Sequence, residues 1–335
     1  MNSTMSALVY EAPLQMNMRR VPMPVIQPDE ALIRVAYSGI CGSELSGYEG
    51  KNSLRKPPLI MGHEFSGHIE ALGSAVDRPE LKVGAAITAN PLVNCKQCRY
   101  CLSGKQQLCP QRRLLGAHLP GSNAEYVAIR ADALFLVPPE LPLAMAAAVE
   151  PAACAVHAAA LAMPAPDERG LVVGAGPLGL MVIQALAERG ISQVYCIDLN
   201  AERLAMAEKL GAVPATFELL ESQPVEIVVD AVGASATRQG CSHVVRSGGR
   251  IVWIGLHEPD TALPVNDFIR REITTYGSFA YTPVDFEDAL RALAKKRITL
   301  EDAWTQTEPL ENGRACYEKL LHGAPISKIW LTPKD

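Results

Sequence analysis

The chain lacks three things that would have assigned it quickly. It has no basic excess: 31 Lys and Arg stand against 36 Asp and Glu, a formal charge of −5. With no basic stripe either, nothing in the sequence points to a nucleic-acid partner. It has no uninterrupted run of about 20 apolar residues, the length a membrane helix needs. The Ala-rich stretch 141–163 comes closest, and Pro142, Glu150, Pro151 and His157 break it. The opening residues, MNSTMSALVYEAP, lack the basic region and apolar core of a secretory leader. A cytoplasmic protein with neither membrane nor nucleic acid as partner is therefore expected. What is present is an ordinary globular composition, 48% apolar and 20% charged. The 335 residues give room for two domains, each with its own core.

Nine cysteines in such a chain argue against a disulfide framework, because the cytosol keeps thiols reduced. Their spacing says more than their number. Cys95, Cys98, Cys101 and Cys109 fall within fifteen residues, whereas Cys41, Cys154, Cys196, Cys241 and Cys316 are scattered. Clustered thiols in a reducing compartment point to a metal.

The texture changes along the chain. Residues 1 to about 140 are rich in Gly and Pro with short apolar runs such as 31–37, a mostly β pattern. Residues 143–163 are Ala-rich and predicted helical. From Gly170 to Gly277, strand-like runs at 171–173, 194–197, 227–229, 251–254 and 273–276 follow one another, with helix-like runs between the first four. Leu178, Met181, Val182, Ala185 and Leu186 recur as one helical face. Such alternation implies a parallel sheet covered on both sides. Helices at 284–295 and 313–322 and a strand at 329–331 close the chain.

Gly174-Ala175-Gly176-Pro177-Leu178-Gly179 follows the first of these strands and opens a helix. Gly174 permits the turn, Gly176 lets backbone approach a pyrophosphate, and Gly179 lets helix pack on strand. The helix start offers unpaired N–H donors to phosphate. Asp198 ends the next strand, nineteen residues past Gly179. A carboxylate there binds ribose hydroxyls and repels a 2′-phosphate, so NAD is expected over NADP. Arg203, Val232, Ile254, Gly255 and Leu256 are further candidates for cofactor contact, from a helix start and from strand ends.

Four thiolates spaced as Cys95, Cys98, Cys101 and Cys109 can close a tetrahedral shell, the description of a structural zinc. An iron–sulfur reading competes, with Pro110 after the last Cys, but that pattern wants three intervening residues before it rather than seven. Cys41, His63, Glu64 and Glu150 form a sparser set. Spacing alone does not unite residues more than a hundred positions apart.

The motifs GICGSE, GHEFSGHIEALG, the four-Cys lobe, the Glu150-Pro151 step before an Ala-rich helix, and GAGPLG with Asp198 occur in that order. In this the chain resembles the zinc-dependent medium-chain alcohol and polyol dehydrogenases of the alcohol dehydrogenase superfamily, over essentially its whole length. The resemblance implies an α/β protein: a GroES-like β-rich catalytic domain at 1–147 with a structural-zinc lobe at 91–112, a Rossmann domain with a doubly wound parallel sheet at 148–281, and a return to the catalytic domain at 282–335. It implies an active site in a cleft between the two domains, with Cys41, His63 and Glu64 on a catalytic zinc and Glu150 as fourth ligand or as a group reaching the zinc through water. It implies a homodimer or homotetramer. The two carboxylates favour the polyol branch, similar to sorbitol, galactitol 1-phosphate, butanediol and threonine dehydrogenases. Two departures stand out. Glu44 replaces the usual Asp, and Ser46 stands where many relatives carry a relay histidine.

The reaction this implies is oxidation of a secondary alcohol of a polyol, sugar alcohol or its phosphate to the ketone. Ser43 is expected to take the alcohol proton, with Glu64 and Glu150 as the carboxylates of the centre. A threonine or butanediol substrate is the alternative within the family, and a catalytically retired NAD- and zinc-binding protein is the alternative outside enzymes. A zinc-free quinone oxidoreductase would lack Cys41, His63 and Glu64. A zinc-ribbon nucleic-acid module is opposed by the acidic balance and the glycine loop.

Overall fold

The computed structural model describes residues 4–324, 326 and 328–333. It divides into two compact units, residues 1–150 with 300–335, and residues 151–299.

The first unit is built mainly on antiparallel β-structure, with one parallel pairing between Thr305–Pro309 and Lys328–Thr332. Its main sheet runs in the order Leu134–Leu136, Ala86–Ala89, Glu64–Leu72, Glu30–Gly39, Lys328–Thr332, Thr305–Pro309, and Tyr126–Arg130 also pairs with Glu30–Gly39. Alternating residues of these strands, among them Ile33, Val35, Phe65, Ile69, Ile87, Val127 and Ile129, close one core. At about 1.5–3 kcal/mol per fully buried aliphatic or aromatic side chain, that core is a main source of the unit's stability. A second core joins Leu8, Tyr10, Tyr48 and Met61 to Tyr317, Ile329 and Leu331, which ties the C-terminal segment into the N-terminal half. The four-Cys lobe carries a short helix, Arg99–Leu102, and its flanking strands Leu92–Val93 and Arg113–Leu114 pair with each other.

The second unit holds a six-stranded sheet in which every pairing is parallel. Its order is Val213–Pro214, Gln193–Ile197, Arg169–Val173, Val225–Asp230, Val245–Trp253, Thr274–Gly277. Numbered within the unit this is 3-2-1-4-5-6, the doubly wound dinucleotide fold. The central strand Val225–Asp230 is buried at every position, as expected when both faces are covered.

The Ala-rich run is helical as expected, in two pieces, Leu143–Ala146 and Val149–Leu161. Pro151 lies in the first turn of the second, the place where its missing N–H costs nothing. The chain returns to the first unit at Leu300, not at 282. Helix Pro283–Ala294 buries Phe286, Ala289, Leu290, Ala292 and Leu293. Its Asp285 bonds His157, and Gln184 bonds the Thr299 backbone, all inside the second unit.

Candidate active site

Cys41 precedes the helix Gly42–Tyr48, and His63 immediately precedes the strand Glu64–Leu72, which Glu64 opens. One ligand atom from each of these three residues lies within 4.8 Å of the others. Among the described residues Glu150 does not join that trio. It is buried in the first turn of Val149–Leu161, near enough for its charge to act on Lys328.

The trio is held by a buried polar network. Glu44 lies 2.7 Å from His63 Nδ1 through Oε1, which also accepts the Gly62 N–H at 2.9 Å. Its other oxygen accepts the Tyr317 hydroxyl at 2.8 Å, and Asn123 Nδ2 donates to that hydroxyl at 3.0 Å. The extra carbon of Glu44 relative to Asp is thus accommodated by a tyrosine from the C-terminal helix Gly313–Leu321. Burial pushes the Glu44 carboxyl up, but the imidazole of His63, the charge of Arg55 and the tyrosine bond hold it at about 2. Burial pulls His63 down, yet Glu44 and Cys41 raise it well above the usual imidazole range. With Nδ1 taken by Glu44, Nε2 is the nitrogen left for a metal, which displaces the proton as it binds.

Glu64 is fixed in a different way. Its Oε2 accepts from Lys328 Nζ at 2.5 Å, with both side chains almost fully buried, and Lys328 also donates to the Ile40 carbonyl at 3.2 Å. The pair meets across Gly39, which is aligned with Glu64 on one side and Trp330 on the other. A Cβ at Gly39 would lie 2.5 Å from Glu64 Oε2. Burial opposes the charge on Lys328, but Glu64, Cys41 and Glu150 carry its pKa upward. Ser43 donates to Cys41 Sγ at 3.3 Å and accepts from Arg55 Nη2 at 3.1 Å.

A thiolate, an imidazole and a carboxylate with one free oxygen make a donor set that fits zinc with room for a further ligand. The four-Cys lobe fits as well. Cys95 and Cys101 sulfurs are 3.9 Å apart, Cys98 and Cys101 3.5 Å, and Cys95 and Cys109 3.5 Å. A zinc–sulfur bond of about 2.3 Å implies a tetrahedral edge of about 3.8 Å. These are contacts of free thiols poised around one centre, not disulfides.

In the second unit the glycine loop stands as expected. Helix Pro177–Glu188 has Gly176 at its N-cap and no side chain capping its first turn, so its N–H groups are open to phosphate. A Cβ at Gly179 would run into the Gly174 carbonyl, a demand of the fold. A Cβ at Gly176 would meet nothing within 4 Å, so packing within the fold does not require that glycine. Asp198 accepts the Ala175 N–H at 2.7 Å and the Asn200 N–H at 2.7 Å, which holds it against the loop. Val232, Ile254 and Gly255 come together at the carboxyl ends of neighbouring strands, where Ile254 and Gly255 both bond the Asp230 carbonyl. Leu256 is exposed beside them, and Arg203 is half-buried in the first turn of Ala201–Lys209.

The family models for the alcohol dehydrogenase GroES-like domain and for zinc-binding dehydrogenases match residues 27–139 and 177–295. The D-arabitol-phosphate dehydrogenase of Enterococcus avium is 32% identical, the alignment covering 97% of each chain. The chain belongs to the zinc-binding alcohol dehydrogenase family. The sorbitol dehydrogenase of Bacillus subtilis is 31% identical over 95% of this chain and 94% of its own. A zinc-binding dehydrogenase of Sinorhizobium meliloti, solved bound to NADP, superposes with a TM-score of 0.92 at 26% identity over 99% of this chain and all of its own. The chain is thus an oxidoreductase with the family's cofactors, zinc and a nicotinamide dinucleotide. Among the described residues no helix is long and apolar enough to cross a membrane.

Lys328, Tyr317 and Arg55 were not assigned to the site from sequence. Lys328 and Tyr317 lie more than 250 residues from the side chains they hold, and no local motif marks them. Arg55 sits in a loop with Lys51 and Lys56, where no motif sets it apart.

Proposed function

We propose that the enzyme interconverts a secondary alcohol of a polyol, a sugar alcohol or its phosphate with the corresponding ketone. The convergence of Cys41, His63 and Glu64 ligand atoms within 4.8 Å carries this reading. The three would hold the catalytic zinc, with Glu150 as a fourth group, and Cys95, Cys98, Cys101 and Cys109 would hold a structural zinc. When bound, zinc supplies Lewis-acid polarisation of an alcohol oxygen, and the nicotinamide ring takes the hydride. Ser43, beside Cys41 Sγ, is placed to hydrogen-bond the reacting oxygen and to take its proton. Glu44 keeps the His63 ring in one orientation, and Lys328 keeps one oxygen of Glu64 occupied.

Gly174, Gly176, Pro177, Leu178 and Gly179 would cradle the pyrophosphate, and Asp198 would accept the ribose hydroxyls. Its charge disfavours a 2′-phosphate, so NAD is the preferred cofactor. Arg203, Val232, Ile254, Gly255 and Leu256 are proposed to line the rest of the cofactor site. The nine free cysteines suit a reducing compartment such as the cytoplasm. A homodimer or homotetramer is proposed. Among the described residues the strand Thr274–Gly277 pairs only with Val245–Trp253, and the helix Val265–Arg271 beside it exposes Val265 and Ile269.

The test is NADH absorbance over a panel of sugar alcohols, their phosphates, diols and amino alcohols, with metal analysis of the same sample. Turnover of a polyol by protein carrying two zinc ions per chain is expected. Zinc-loaded, NAD-binding protein that turns over nothing in the panel would make it a retired member of the family.

A further inference from the structure

Arg55 is an anomaly in the first unit. It lies between helix Gly42–Tyr48 and strand Leu59–Ile60, and only 4% of it is exposed. Its Nη2 donates to Ser43 Oγ at 3.1 Å, and that hydroxyl donates in turn to Cys41 Sγ at 3.3 Å. Among the described residues no carboxylate lies within ion-pair distance of the guanidinium, and its Nε–H is buried with no hydrogen-bond partner. The stem packs on Gly47, where a Cβ would collide with Arg55 Cδ.

Glu44 answers part of this charge from a distance, but a buried cation with no carboxylate in contact still carries a desolvation cost, and a Met or Leu of similar length would fill the same space without it. A guanidinium also keeps its proton at any working pH, so it supplies charge and orientation rather than a proton. The one group it grips is the hydroxyl beside the thiolate. If Ser43 takes the alcohol proton as proposed, the alkoxide oxygen would form beside that hydroxyl, where a preorganised positive charge is most useful.

We propose that Arg55 is a positioning residue for the dehydrogenase reaction, its guanidinium fixing the Ser43 hydroxyl and laying a permanent positive charge beside the reacting oxygen. This rests on the reading of Cys41, His63 and Glu64 as the reaction centre. It also gives Ser46 a context: with no histidine at that position, a fixed charge behind Ser43 takes up part of the stabilisation.

The experiment is a double-mutant cycle on the zinc-loaded enzyme with Arg55→Met, Ser43→Ala and the pair. Arg55→Met is expected to lower kcat roughly 10- to 100-fold with a smaller change in KM. Arg55→Lys should recover part of the loss, and the double variant should be no slower than Ser43→Ala alone. Should Arg55→Met fail to fold, Arg55→Gln keeps a polar head without the charge and takes its place in the cycle. A second measurement needs no turnover: the rate of Cys41 alkylation by anionic iodoacetate relative to neutral iodoacetamide, followed by mass spectrometry. Losing the Arg55 charge should lower that ratio by about tenfold. Losses that multiply with Ser43→Ala, or an alkylation ratio that does not move, would overturn the proposal. If the parent enzyme oxidises no alcohol, the functional reading fails, and the alkylation ratio alone still decides the role of Arg55.

Discussion

Among the described residues two histidine–carboxylate pairs stand out, one fully buried and one part-buried, with similar contact distances. In the first unit His63 Nδ1 lies 2.7 Å from Glu44, and in the second His157 Nδ1 lies 2.8 Å from Asp285. Their other contacts separate them. Glu44 spends its remaining capacity on the Gly62 N–H and the Tyr317 hydroxyl, so that His63 faces Cys41 and Glu64 in a fixed pose. Asp285 spends its own on the Thr282 N–H and hydroxyl, the capping box that starts helix Pro283–Ala294. Chemically the pairs are alike. One holds an imidazole beside Cys41 and Glu64 and the other begins a helix, and only the surroundings tell which.

The sharpest way to break the comparison is to remove each histidine in turn. His63→Gln should reduce polyol oxidation by roughly a thousandfold or more, because several kcal/mol of charge stabilisation goes with the metal it helps to hold. Zinc analysis should then find the four-Cys site filled and the other empty. His157→Gln should leave zinc content unchanged and act on stability alone. A His63 variant that keeps full turnover would mean the two pairs are both scaffolding.

Next in size is the ion pair between Lys328 and Glu64, which neither histidine pair can replace. Lys328→Met strands a buried carboxylate beside Cys41, and removing one partner of such a pair costs about 3–5 kcal/mol. Chemical denaturation of the zinc-free variant against the zinc-free parent should show that loss in the first unit. A surface pair offers the contrast. Lys96 and Asp132 are both well exposed, and Lys96→Met should cost less than about 1 kcal/mol. Equal losses in the two variants would show that burial does not set the scale here.

What was legible in the sequence follows from how far each feature reaches along the chain. The glycine loop, Asp198 and the four cysteines are local, with ligand type and spacing on one short segment, and the structure keeps each group together. The strand order of the second unit follows from alternating β and α segments and short connections. Cys41 and His63 came from motif order rather than spacing. The network behind them did not come at all, because Tyr317 and Lys328 arrive on the returning C-terminal segment, and nothing in that segment's own pattern says which strand it will meet. Lys328 opens an otherwise apolar strand, the only local hint, and a lysine there reads as solvent-facing. The domain boundary at 282 failed for a related reason: helix Pro283–Ala294 is amphipathic, and amphipathicity says that a face is buried without saying against what.

A smaller effect than the loss of Lys328 belongs to the second pair and turns on pH. Burial pushes the Asp285 carboxyl up, but the bonds from His157 and Thr282 hold it below the ordinary carboxylate range. A group depressed in the folded state stabilises it above the unfolded pKa, near 4 for Asp, and that contribution drains away as pH falls through the folded value. Asp285→Asn should therefore cost about 1–2 kcal/mol at neutral pH, the scale of a lost helix cap. The gap between parent and variant should close steadily below about pH 4. Zinc content and kcat should be untouched at neutral pH, since this pair belongs to the helix. Unfolding curves of both proteins between neutral and acid pH decide it: a gap that stays constant, or widens on acidification, would mean that the Asp285 charge contributes nothing to the fold.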